Sequence, residues 1–289
     1  MKKIMMILLV VLLGGCTVVK APIRPSFTME TYPKICGSTV SIPLEEMLMA
    51  TLTDQTIEQV RPYVPTTKTH DAYMNLLAKQ TDLIFVTSPS QSELDSAKIA
   101  NIELEIIPIV SEAFVFLVNK DNPINSLTLE QIQKIYTGEI TNWKQVGGDD
   151  VEIRAMQRPV NSGSQTGFLD LVMKGLTLMQ APVEWVPADM GELVDLVAHY
   201  DNKPDAIGYS YYYFVTDMAA NPNVKLVKIN GIQPTPATIS DGTYPIHSNY
   251  YAVFRKTEEK DSDVRKIVAY LLSDEGQELV EAAGYVRLK

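Results

Sequence analysis

Two cysteines, three histidines and two tryptophans are all that 289 residues contain of those types. So few cysteines exclude a disulfide scaffold, and a chain of this length can bury a sufficient core without one. His70, His199 and His247 form no pair at helical metal-ligand spacing, so no metal site and no cofactor are expected. Positive charge is also scarce: 25 Lys and Arg stand against 35 Asp and Glu, a formal net charge of −10. That balance argues against nucleic acid or an anionic lipid surface as a partner. There is no internal repeat and no long low-complexity segment.

The N-terminus is the most apolar stretch. Met1-Lys2-Lys3 is followed by an unbroken apolar run from Ile4 to Leu13, too short to span a bilayer but suited to a secretory signal. It ends in Leu13-Gly14-Gly15-Cys16, which resembles the lipobox of bacterial lipoproteins, where the cysteine becomes the lipidated first residue. An uncleaved anchor is the alternative. The expectation is a signal peptide over 1–15, acyl chains such as palmitate on Cys16, and a tether over 16–29. Two acyl chains or more anchor stably where one would not. Cys36 would then be the only thiol left, and losing two lysines would take the net charge to −12.

The chain is organised around Arg158-Pro-Val-Asn-Ser162-Gly163-Ser164-Gln-Thr166-Gly167, which leads into Phe168-Leu-Asp-Leu-Val-Met. Phe168, Leu169, Val172 and Met173 have helical spacing, and Gly175 stands where the helix would stop. The first turn of a helix leaves N–H groups unpaired at the positive end of its dipole. Small residues let an anion approach them, hydroxyls add donors, and the planar fork of Arg158 suits a tetrahedral oxyanion. An ordinary serine cap beside a surface arginine is the competing reading.

Gly37-Ser38-Thr39-Val40-Ser41-Ile-Pro43 repeats the pattern between an expected short strand, Tyr32–Cys36, and a helix carrying Leu44, Met47, Leu48 and Leu52. Val60–Val64 reads as extended. Thr66-Thr67-Lys68-Thr69-His70 is a third hydroxyl-rich helix start, with His70 an ordinary residue there rather than a base. Asp82–Val86 is a continuous apolar run, as in a strand buried on both faces. The order β-α-β-α-β predicts an α/β domain with ligands at the carboxyl ends of its strands. Ile106–Val110 and Ala113–Val118 read as two further strands, and Thr128-Leu-Glu-Gln131 as a capping box. Val151–Met156 reads as the strand before the Arg158 segment. The aromatic strand from Ala206 to Phe214 includes Tyr211-Tyr-Tyr213, read as packing rather than a stacking platform. Two helices close the chain, with Gly284 as a cap. Glu45-Glu46 and Glu258-Glu259 read as solvated surface charge.

Several segments resemble the phosphate-binding proteins of phosphate-specific ABC transporters. They are Asp121–Ile132, Tyr136–Gly148, Ile207-Gly-Tyr209, Asn230–Pro236, Ser273–Gln277 and Ala283-Gly-Tyr285, all in the family's order. The resemblance implies a two-lobed type II periplasmic-binding-protein fold. Each lobe would be a mostly parallel sheet flanked by helices, with the ligand in the interlobe cleft. It assigns phosphate contacts to Ser38, Thr39, the Val40 backbone, Thr69, Arg158, Ser162, Gly163 and Ser164. In well-known members an aspartate follows the buried strand and accepts a hydrogen from protonated phosphate. This chain has Thr87-Ser88-Pro89 there, so Thr87 and Ser88 become the candidate acceptors, with Glu112 as a less favoured substitute.

The expected protein is a lipid-anchored receptor, held by its lipid alone on the extracytoplasmic side of a bacterial membrane. It would act as a monomer that delivers inorganic phosphate to permease subunits, with no catalysis. Lobe one would comprise 30–115 and 215–289, lobe two 116–214, with crossovers near Glu112–Phe116 and Gly208–Tyr211. A receptor for sulfate, molybdate or tungstate is the first alternative. A serine-dependent envelope phosphatase or esterase is the second, but Gly163-Ser-Gln-Thr-Gly167 does not match a nucleophile elbow and has no P-loop lysine.

Overall fold

The structure, a computed structural model, describes residues 24–199 and 204–288. The expected signal peptide, Cys16 and the first part of the tether lie outside the described residues. Among the described residues no helix is long and apolar enough to cross a membrane.

Strand β1 (Ile35–Gly37) leads through a tight turn, Thr39–Ser41, into α1 (Ile42–Thr53), with Pro43 in the first helical turn, where its missing N–H costs nothing. Of the Val60–Val64 stretch expected to be extended, Val60 ends α2 (Ile57–Val60) and Arg61–Tyr63 form a 3-10 turn, while Val64 is extended. The cause is a capping box in which Thr56 accepts from Gln59 N and the Gln59 side chain accepts from Thr56 N. α3 (Thr69–Leu77) precedes β2 (Leu83–Val86), whose four residues are all buried. The β-α-β-α-β expectation therefore lacks its middle strand, and β1 pairs with β2 directly and in parallel.

α4 (Gln91–Ile99) leads to β3 (Leu104–Asn119), a single 16-residue strand where two were expected, with its register shifted between Pro108 and Val110. Proline offers no N–H to a ladder, so the irregularity falls where it does. Then come β4 (Ser126–Leu127) and α5 (Leu129–Thr137), with the expected Thr128 capping box, then β5 (Arg154–Ala155) and α6 (Gly163–Gly167). α6 passes into a wider π-helical turn, Phe168–Met173. α7 (Met190–His199) precedes β6 (Ala206–Tyr211), which stops short of the expected Phe214 because the chain turns helical there. β7 (Val224–Leu226), β8 (Lys228–Ile229), α8 (Pro236–Ser240), β9 (His247–Arg255), α9 (Asp263–Leu271) and α10 (Asp274–Ala282) complete the order.

The main sheet runs β1-β2-β9-β3-β6-β5, with β7 also on β3; β4 and β8 form a small parallel pair. Pairing is mixed rather than mostly parallel. The edges β1/β2 and β5/β6 are parallel, and the centre β2-β9-β3-β6 is antiparallel. β3 is the spine: residues 104–113 pair with β9, and 114–118 pair with β6. β7 and β8 join the strands of the 116–214 half, so the chain rejoins β2 only at β9, later than the expected boundary at 215. Where the sheet changes partner, Phe114, Phe116, Tyr136, Phe168 and Tyr209 pack as one aromatic cluster. Phe168 stacks on Tyr209 at 4.2 Å between centroids. This cluster is a rigid floor under the start of α6.

Candidate functional site

Three hydroxyl-rich segments meet at one cavity of about 730 Å³, within the usual range for small-ligand sites. Ser38, Thr39 and Val40 line it, with Thr69, Thr87, Arg158, Ser162, Gly163 and Ser164. Nine of the ten expected contact residues therefore share one space. Ser88 does not: the chain moves away through Pro89 to Ser90, which caps α4 by accepting from Glu93 N. Sequence reasoning did not assign Lys68, His70, Asp71, Asp189, Tyr211 or Phe214, which also line the cavity.

Gly163 lies tightly against Thr69 and Thr87. A Cβ there would run into the hydroxyls of both Thr69 and Thr87, so only glycine lets the start of α6 lie against α3 and the end of β2. Asn161, just before, adopts φ +68, a left-handed conformation that asparagine tolerates better than most side chains. Together they turn the chain so that Ser162 begins the helix. Tyr211 donates to Gly163 O at 3.1 Å and holds the turn from below.

The hydroxyls are not equivalent. Ser162 caps its helix, accepting from Gln165 N at 3.1 Å, as the competing reading required. Ser38 does not: its backbone N–H donates to Phe85 O, but its side chain caps nothing. Ser38 Oγ and Thr87 Oγ1 are both buried without a hydrogen-bond partner of good geometry. Buried hydroxyls are nearly always paired, so two unpaired ones lining one cavity mark a place for a ligand. Thr69 is the first residue of α3, one position after the capping residue Lys68, so its N–H has no acceptor within the helix. The same holds for Gly163 and Ser164 in α6.

Arg158 is buried, 6% exposed. Its Nε donates to Pro187 O, one Nη to Ala188 O and the other to Ser164 Oγ, each at 3.1 Å. All three acceptors are neutral. Burial pulls its pKa down, partly offset by Tyr209, Asp189 and Glu192, yet a guanidinium keeps its proton. It is a buried cation hydrogen-bonded to no carboxylate, an arrangement costly unless an anion completes it. Arg158 is therefore not the surface arginine of the competing reading, and its fork also fixes the Pro187–Ala188 segment. Its own N–H donates to Gln165 Oε1 and to the Tyr209 hydroxyl, and Tyr209 in turn donates to Gln165. This brace sets the arginine's position before any ligand arrives.

Carboxylates stand only at the rim. Asp71 and Asp189 are exposed, and Asp189 accepts from Glu192 N at the start of α7. His70 pairs with Glu93 at 3.1 Å rather than with a serine. Glu112, the substitute acceptor, is buried away from the cavity lining, taking the Ala113 N–H at 2.8 Å and the Tyr213 N–H at 3.4 Å. Burial, opposed by these hydrogen bonds, pushes its pKa up to about 7. It joins the two chain crossings and does not face a ligand. Among the described residues no group of three or more His, Cys, Asp or Glu could hold a metal ion.

Comparison with known proteins gives a consistent set. Residues 35–275 match the PBP superfamily domain. A curated relative from Borreliella burgdorferi, named phosphate-binding protein PstS, is 28% identical over 183 residues, 62% of this chain and 64% of that one. Another of that name from Bacillus subtilis is 29% identical over 170 residues, 58% of this chain and 53% of that one. The matches thus span between about half and two thirds of these relatives. Among solved structures, an ABC-type phosphate transport receptor from Vibrio cholerae superposes with a TM-score of 0.64 at 24% identity, covering 88% of this chain and 99% of that one.

Proposed function

Since this chain belongs to the PBP superfamily and has the type II periplasmic-binding-protein fold, we propose that it is an extracytoplasmic receptor for inorganic phosphate that serves an ABC-transporter permease. One observation carries the reading: a buried arginine bonded only to neutral groups opens onto a cavity whose hydroxyls, Ser38 and Thr87, have no partner. The names of the curated relatives agree with it. A tetrahedral oxyanion would satisfy the Arg158 fork, the hydroxyls of Ser38, Thr69, Thr87 and Ser164, and the first-turn N–H groups together. Such a shell excludes water, so each donor counts for more than it would at the surface. It also lets a chain of net charge −10 hold an anion, because most donors are neutral dipoles.

We place lobe one at 30–115 with the chain from β9 onward, and lobe two between them, so that the cavity lies where Thr69 and Thr87 of one meet Gly163 of the other. Binding across that gap favours the closed arrangement, since only it completes the donor shell. The receptor is a monomer tethered by lipid on Cys16. No hydrolytic step is assigned to Ser162 or Ser164, whose polar neighbours are the Gln165 N–H and the Arg158 guanidinium. Neither is a base.

A second reading is favoured by one feature: Thr87 presents a hydroxyl where a carboxylate would accept the proton of phosphate. Sulfate carries no proton at neutral pH and needs no such acceptor. Thermal-shift titration with phosphate, arsenate, sulfate and molybdate decides between them. Phosphate and arsenate should raise the melting temperature at concentrations where sulfate and molybdate do not; the reverse order would overturn the phosphate reading.

A further inference from the structure

Beneath Ser38, Thr39 and Val40 lies a hydroxyl with more oxygens around it than it has hydrogens to give. Ser41 Oγ lies 2.8 Å from three oxygens: Ser38 O, Phe85 O and Glu45 Oε1. A hydroxyl has one hydrogen to give. That hydrogen serves one of the three oxygens; when a carbonyl takes it, the close approach of Glu45 Oε1 needs a hydrogen supplied from the glutamate side. The other carboxyl oxygen, Oε2, is buried without a partner, so an ionised Glu45 would leave bare charge in the core. The packing leaves no slack: a Cβ on Gly37 would strike Glu45 Oε1, Ser41 Oγ and Phe85 O at once.

Taking the oxyanion-receptor reading as its basis, we propose that Glu45 is a positioning residue, kept as the neutral acid, whose hydrogen bond to Ser41 Oγ locks the turn that presents Ser38, Thr39 and Val40 to the ligand. Ionising Glu45 draws the single Ser41 hydrogen to the carboxylate and away from the carbonyls of Ser38 and Phe85, and the turn must rearrange. The receptor's affinity thus carries a proton switch under one wall of the cavity.

The surroundings agree. Glu45 is 3% exposed, on the buried face of α1. The titratable groups that face it are Tyr32 before β1, Cys36 in β1, Tyr285 after α10 and, on its own helix, Glu46. None is a cation; Arg61 engages the neighbouring Glu46 instead. Burial, opposed by the Ser41 hydrogen bond and helped by Glu46, pushes Glu45 up to about 8. Tyr285 donates to Val40 O at 2.6 Å and ties the other end of the same turn.

The test compares wild type with Glu45→Gln, whose amide can donate to Ser41 at any pH. Phosphate's own titration is common to both, so the ratio of their dissociation constants isolates Glu45. From about pH 6.5 to about pH 9.5 that ratio should stay near unity on the acid side, then rise toward tenfold per unit above the Glu45 value. A ratio independent of pH overturns the proposal. A second arm needs no ligand: carbon-13 NMR of glutamate-labelled protein should show, besides the Glu112 signal, a carboxyl still protonated at about pH 7.5 in wild type and missing from Glu45→Gln. If no such signal is lost in the variant, the proposal fails even though phosphate may bind. Absence of phosphate binding in both proteins would instead overturn the receptor reading, and the NMR arm would still decide the state of Glu45.

Discussion

The Ser38 wall and the Ser162 wall look alike in sequence, each a glycine–serine run opening a helix, yet they are built differently. Ser162 is engaged as a helix cap, and its wall is braced by Arg158, Gln165 and Tyr209. Ser38 caps nothing, and its wall is held by Ser41, Tyr285 and a buried carboxyl. One wall brings a fixed charge in a frame that does not titrate near neutrality. The other brings an unpaired hydroxyl, Ser38, on a frame with the buried carboxyl of Glu45 at its base. A serine before a helix therefore does not report its role by position alone; what decides is whether the helix already uses its oxygen.

That contrast can be broken most severely at the charged wall. Arg158→Ala removes the buried cation of the shell and should weaken phosphate by about 2–5 kcal/mol, measured by isothermal titration calorimetry on protein whose fold is checked by circular dichroism. The ligand-free melting temperature should also fall, because Pro187 O and Ala188 O lose their donor. Retained affinity would mean that the anion does not meet this wall.

Gly163→Ala tests the meeting of the walls. The added carbon must displace the Thr69 and Thr87 hydroxyls, so closure should cost about 1–3 kcal/mol of affinity with little change in ligand-free melting. Unchanged affinity would show that the halves need not approach so closely.

The two serines sharpen the comparison further. Ser162→Ala should lower stability by about 1 kcal/mol through loss of a cap. Ser38→Ala should leave stability unchanged or slightly raised, since it removes an unpaired buried hydroxyl, and should cost about 1 kcal/mol in phosphate affinity. Urea unfolding of both variants with and without phosphate separates these outcomes; equal losses of stability would erase the distinction.

Glu112 gives the smallest effect on the ligand. Between its ordinary value and about 7, the folded chain holds a proton that the unfolded chain has released. Its contribution to stability therefore falls as pH rises through that window and is gone above it. Glu112→Gln should flatten the pH dependence of ligand-free melting there and leave phosphate affinity within about twofold, because Glu112 does not line the cavity.

Much of this arrangement was legible in the chain. The glycine and hydroxyl runs at 37–41, 66–70 and 162–167 marked the three segments that converge, and Thr128–Gln131 marked a helix start correctly. Thr56 and Gln59 hold the same capping signal, but Pro62 and Pro65 drew the reading toward an extended segment. Glu45 shows a subtler miss. Its charge and its neighbour Glu46 suggested a solvated face, yet Leu48, Met49 and Leu52 follow it at three, four and seven residues, the spacing of one helix face. That spacing was the available signal. What no local pattern encodes is pairing across the chain. The single β3 spine, the return of β7 and β8 to the 116–214 half and the exclusion of Ser88 from the cavity all depend on strands far apart in sequence.

The account stands on an oxyanion lodging between the two walls, and arsenate, a heavier tetrahedral analogue of phosphate, locates it directly. In a crystal grown with arsenate, anomalous scattering should place the arsenic atom with its oxygens within hydrogen-bonding distance of the Arg158 guanidinium and the Ser38 hydroxyl at once. An arsenic peak elsewhere on the protein, or one touching only one of the two walls, would contradict it.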